Sequence, residues 1–216
     1  MAIKNAFHLS IVILAIFGCQ ARPEQPTPAQ DLYANFQPIT SSDTLLVGLD
    51  SIAGESSRVI PAKLFLAAID SVLIAEMIYE PDTFDFRGRA YWKLDLDENF
   101  AACLIGIQQV WFHFKYLLIY SKPAESFVGL IPLAYLYGGD GGQIMCESRI
   151  FGLSAQPIIV TGYQEHYIRW VETNPDEPEV IDLKSVGLRQ WAQGGFQEVP
   201  VRDSSKWLEM VPMPYE

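Results

Sequence analysis

From Thr44 to the end of the chain, short runs that alternate apolar and polar residues are separated by clusters of turn residues. This pattern limits the possible folds more than any other feature, because a period of two sends successive side chains to opposite faces of a sheet. The clearest run is Val110 to Tyr120, with Phe112, Phe114, Tyr116 and Leu118 on one face and His113 and Lys115 on the other. Thr44 to Ser51 reads as a first strand, and Val72 to Tyr79 is apolar enough for a buried one. Arg89 to Asp95 and Phe100 to Gly106 flank the polar turn Asp97-Glu98-Asn99, a hairpin signal. Ser126 to Tyr137 is a long apolar strand in which Pro132 cannot donate to a ladder, so an edge or a bulge is expected there.

Glycines 138, 139, 141 and 142 around Asp140 turn the chain into Gln143 to Phe151. Pro157 to Thr161, His166 to Glu172 and Val180 to Leu183 follow, the last after the acidic turn Asn174 to Glu179. Arg189-Gln190-Trp191 and Gly195 to Val199 close the series as a hairpin over Ala192-Gln193-Gly194. One short helix is expected over Pro61 to Ala68, with proline at its start and good helix formers behind it. Strands at this spacing without intervening helices predict an all-β antiparallel meander. Barrel, sandwich and propeller-like closures all remain open, and the lack of a strict internal repeat counts against a regular propeller.

The first residues have a different character. Met1 to Asn5 carries one cation, Lys4, and Ala6 to Phe17 is apolar apart from His8 and Ser10. That stretch is too short to span a hydrocarbon core, which needs about 20 helical residues, and reads instead as a secretory signal peptide. Its end, Ile16-Phe17-Gly18-Cys19, resembles the bacterial lipobox, with Phe17 less usual at its position. The resemblance implies cleavage before Cys19, a diacylglyceryl group on its thiol and acylation, typically palmitate-like, of the new terminus. Two or three acyl chains at about 0.8 kcal/mol per buried CH₂ would make attachment stable. Pro23, Pro26, Pro28 and Pro38, set among Gln, Thr, Ala and Ser, read as an extended spacer. The expected division is therefore a signal peptide over 1–18, a lipid-anchored tether over 19–42 and one β-rich domain over 43–216. Gln20 after the cysteine, by the same resemblance, favours the outer membrane, with the domain on its periplasmic or surface face.

Charge narrows the partners. Lys and Arg number 15 against 26 Asp and Glu, for a net charge of −11. Removing residues 1–18 deletes only Lys4 among the charged groups, so the chain from Cys19 carries −12. Nucleic acid and anionic lipid both select clustered cations, so neither is an expected partner. Membrane contact is expected only through the lipid on Cys19.

Asp95-Leu96-Asp97-Glu98-Asn99 begins like a calcium loop, but Phe100 and Gly106 stand where that loop needs Gly and an acid. The glycines at 138–142 lack the GK[ST] ending of a phosphate loop. His113 and His166 lie on separate strands without paired cysteines, which is no zinc spacing. Trp92, Trp111, Trp170 and Trp191 would stack sugars if exposed together, and fill a β core otherwise. Cys103 and Cys146 fall on strands separated by two others in a simple meander, about 14 Å apart, beyond the roughly 7 Å a disulfide tolerates. They are expected to be two buried, unpaired thiols.

The segments Phe114 to Tyr120, Pro132 to Asp140 with Gln143-Ile144, and Arg189 to Val199 resemble secreted β-rich lipoproteins of Bacteroidetes-type bacteria that have no assigned activity. The resemblance covers residues 85–200 and implies an all-β domain with no functional residues to carry over. The expectation is a membrane-anchored envelope lipoprotein with a non-enzymatic binding or structural role, lipidated at Cys19, using no metal or cofactor. The alternative is a glycan-binding or glycan-processing protein that uses exposed tryptophans and a carboxylate pair.

Overall fold

Eight consecutive strands pair in chain order, each antiparallel to the next, as the alternation predicts. They are β4 (Phe86–Asp95), β5 (Phe100–Gln109), β6 (Phe112–Ser121), β7 (Ser126–Gly139), β8 (Gly142–Phe151), β9 (Ile158–Val171), β10 (Asn174–Ala192) and β11 (Gly195–Val199). Three earlier strands join them to make an 11-stranded sheet. β1 (Gln37–Pro38) runs parallel to β4, β3 (Arg58–Ile60) pairs with β4, and β2 (Thr44–Val47) pairs with β8. This computed structural model describes residues 25–39, 43–49, 56–77, 86–109, 112–139, 141–171 and 174–211.

The sheet does not close into a barrel; it splits. β7 pairs with β8 only from Tyr135 to Gly139, and from Ser148 to Phe151 the edge of β8 away from β9 pairs with β2 instead. Below the split, two layers pack face to face. Ala102 and Leu104 of β5 and Leu117 and Ile119 of β6 meet Leu45, Val47, Ile150, Ile159 and Trp191 from the second layer. Pro132 lies where β7 has β6 as its strand partner and has parted from β8. It opposes Tyr116 while Ala134 opposes Lys115, so Leu133 is an extra, bulged residue. The expected edge and the expected bulge coincide here, because a missing N–H costs least where the ladder is already interrupted.

Because β5 and β6 are sandwiched, both of their faces are apolar. Cys103, Ile105, Tyr116 and Leu118 face the opposite way and pack under three helices, α1 (Pro28–Ala34), α2 (Ala62–Ala68) and α3 (Ser71–Met77). A fourth helix, α4 (Ser204–Leu208), brings Trp207 against Leu188 and Val160 on the outer side of the second layer. No helix among the described residues is long and apolar enough to cross a membrane.

Two expectations are corrected. Residues 72–77, read as a strand, form α3. The Asp70 carboxylate accepts from Val72 N at 2.8 Å and its carbonyl from Ile74 N at 2.9 Å, which starts a helix. Ile74 and Met77, one turn apart, are buried while Val72 is 66% exposed, a helical and not a pleated division. Residues 28–38, expected to belong to an extended spacer, instead form a helix and a short strand packed on the fold. Thr27 and Gln30 form a capping box that starts α1, and Leu32 is 0% exposed with Ala29 and Phe36 buried beside it. Proline at the first helical position belongs to a helix start as naturally as to a spacer, and buried Leu32 decides between the two. Two smaller differences concern strand length. Residues 158–171 are one strand, and β10 runs from Asn174 through Gly187 to Ala192, irregular between Asn174 and Glu179 where a turn was expected.

Candidate functional site

At one end of the sheet, residues that are far apart in sequence line up across three strands. Arg87 of β4 opposes Gln108 of β5, which opposes His113 of β6. Two residues along, Arg89 opposes Gly106, which opposes Lys115. Directly opposed residues share a face, so Arg87, Arg89, His113 and Lys115 form the corners of a patch about 10 Å across the strands and about 7 Å along them. Gly106 leaves the centre of the second row without a side chain, and the Tyr91 ring sits over it. A methyl group at Gly106 would come within 2.9 Å of Tyr91 Cε2. The two rows line a groove of about 480 Å³ whose apolar wall includes Val59 and Phe86.

The charged side chains differ in how they are held. Lys115 is buried, and its ammonium donates to the carbonyls of Gly48 and Leu49, tying the first layer to the end of β2. Arg89 is exposed and donates from Nη1 to Ser57 Oγ at 3.1 Å. Arg87 and His113 are exposed on the groove wall. Guanidiniums, an imidazole, an amide and a phenol are hydrogen-bond donors to anions and carbonyls, so the arrangement suits the holding of a negative charge.

A second, shallower groove of about 340 Å³ opens on the opposite face, beyond the helices, and is largely aromatic. Phe112 stacks on Phe114 and on Tyr137, with ring centroids 6.1 and 5.5 Å apart, and Phe114 stacks on Tyr116 at 5.8 Å. Tyr116 is fixed by its hydroxyl, which donates to the Met77 carbonyl at 3.2 Å, and burial pushes its phenol well above the ordinary range. Tyr137, at 48% exposure, is the open end of this ladder.

The residues singled out from the sequence are distributed as follows. Cys19, Trp111 and Asp140 lie outside the described residues, as does the side chain of Trp170. Trp92 and Trp191 are 5% and 6% exposed and belong to the core between the layers, so two of the four tryptophans of a sugar-stacking platform are not available for it. His113 and His166 lie on β6 and β9, with β7 and β8 between them, and His166 Nδ1 meets Asp182 across the β9–β10 pair at 2.7 Å. Asp95 and Asp97 are occupied in the hairpin. Lys122 reaches Asp95 at 2.8 Å, and the Asp97 carboxylate accepts from the amides of Asn99 and Phe100, each at 2.8 Å. Among the described residues, no three metal-ligating side chains converge. Gly141 has φ +95° in the β7–β8 turn, which accounts for a glycine there. Cys103 and Cys146 are buried and free.

Sequence reading placed His113 and Lys115 on one face but missed the arginines. The signal lies in the alternating Arg87-Gly88-Arg89 and His113-Phe114-Lys115, but a strand beginning at Arg89 leaves Arg87 out, and no local pattern states which residues oppose each other. Compared with protein-family models, curated proteins and solved structures, the chain matches none.

Proposed function

We propose that this protein is a lipid-anchored component of the bacterial envelope, held by acyl chains on Cys19, whose folded domain has a non-enzymatic binding role. The observation that supports the anchor is the Ile16-Phe17-Gly18-Cys19 sequence after a short apolar run, followed by a domain that starts at Thr27. The early start bears on the role. Eight residue steps from Cys19 to Thr27 span at most about 29 Å when fully extended, against about 80 Å for a tether ending at residue 42. The domain is thus held close to the lipid surface, where a net charge of −12 keeps it from lying on anionic headgroups.

The test is Cys19→Ala in the native host. Wild-type protein should incorporate labelled fatty acid and partition into the detergent phase. The variant should lose the label, and it should accumulate as precursor or be cut elsewhere. Membrane partitioning and processing at the same bond in Cys19→Ala would remove this reading.

A further inference from the structure

We infer that the groove between Arg87, Arg89 and His113 is a binding site for a small organic anion, one carboxylate or phosphate group carried on an apolar body. This names the ligand class of the binding role proposed above and rests on that role. Acids outnumber bases by 26 to 15 in the chain, yet none of the described residues that line this groove is Asp or Glu. Two arginines, a lysine and a histidine lie there instead, in the two cross-strand rows set by the sheet register. In a protein of this net charge, the surrounding field repels anions, so a ligand is held only where local donors outweigh it at short range.

The geometry also selects the ligand's size. A patch about 10 Å by 7 Å accommodates one anionic group and a ring, not a polymer backbone. Ser57 holds one guanidinium N–H of Arg89 and orients the fork, with further donors left for a planar or tetrahedral anion. His113 closes the other end of the first row. Val59, Phe86 and the Tyr91 ring line the rest of the groove and favour an apolar body over a free inorganic ion. Gly106 lets the Tyr91 ring lie directly against the strand at the floor of the groove.

The experiment uses the mature lipidated protein in neutral detergent micelles, with phenyl phosphate, inorganic phosphate and phenol as probes at constant ionic strength. Titration calorimetry should show saturable binding of phenyl phosphate, weaker binding of inorganic phosphate and none of phenol. Arg89→Gln with His113→Gln should weaken phenyl phosphate at least tenfold while leaving the urea midpoint within error, since both side chains are exposed. Absence of saturable phenyl phosphate binding, or equal binding by the double variant, would overturn the site. Lipid labelling of Cys19 is read on the same preparations. A labelled protein that ignores every anion would remove the groove proposal and leave the anchor intact.

Discussion

The indole of Trp191 donates to the carboxylate of Asp97 at 3.1 Å across 94 residues of chain, joining the β4–β5 turn to the last long strand of the second layer. Asp97 divides its oxygens. Oδ1 holds the amides of its own turn and Oδ2 receives the indole. Trp191 is wedged edge-on between Phe100 and Phe196, with ring centroids 5.6 and 5.2 Å away. This contact ties together the two layers at the end away from the grooves.

Asp97→Asn keeps an oxygen for the turn and places its amide donor against the indole N–H. It should lower stability by about 1 kcal/mol in urea unfolding with an unchanged slope. In a Trp191→Phe background the same change should cost almost nothing, because the bond is already gone. Equal costs in both backgrounds would mean that the contact does not form.

Both thiols should be silent in the folded protein and reactive after unfolding. Burial raises the Cys103 thiol far out of its usual range and the Cys146 thiol to about 12. Without reductant, alkylation in denaturant should label both, and in native buffer at pH 8 neither. Labelling that requires reduction would place the two residues within bonding distance and contradict the strand order.

The same burial predicts alkaline lability. Cys146 has a raised pKa in the fold, as does Tyr135, also held at about 12, chiefly by desolvation. In the window between the unfolded and folded values, the native state binds more protons than the unfolded one. Stability should therefore be flat up to about pH 9 and fall as pH rises towards 12. Urea midpoints measured from pH 7 to 11 check this; a midpoint that rises above pH 9 would contradict it.

Gly138→Ala should be among the most damaging single substitutions. A methyl group there would sit 2.3 Å from the Gly142 carbonyl oxygen and 2.7 Å from Gln143 Cα, both backbone atoms of the paired strand. The pair cannot separate without opening the short β7–β8 ladder, the link between the layers. A loss of about 3 kcal/mol or more is expected from the thermal midpoint, with retained β signal in circular dichroism at low temperature.

Leu32→Ala tests where the domain begins. Leu32 is fully buried from α1 beneath the first layer, so truncation should cost about 2–5 kcal/mol in one cooperative transition. A loss below 0.5 kcal/mol would place this segment outside the folded domain.

The strands were legible because alternation is written locally. Phe112 to Tyr120 and the hairpin at Asp97-Glu98-Asn99 need nothing beyond their own neighbours to be recognised, and the glycines at 138–142 announce their turn. Residues 72–77 were misread because a short apolar run fits a buried strand and a buried helix equally. The deciding group, Asp70, acts through two hydrogen bonds that composition does not show. The arginines of the groove escaped for another reason. Their importance depends on Gln108 and Gly106, which place β4 opposite β6 without any pattern of their own.

Taken alone, the sequence determined the antiparallel meander and most of the places where it turns. Each of these follows from side-chain period and turn chemistry over a few residues. The tertiary structure alone decided that β8 leaves β7 for β2, that the sheet becomes two packed layers, and that Trp191 meets Asp97. These contacts join residues tens of positions apart, and their stability comes from burying area between surfaces that exist only once both layers are formed. A local pattern can specify which face of a strand is apolar, but not which other face will cover it.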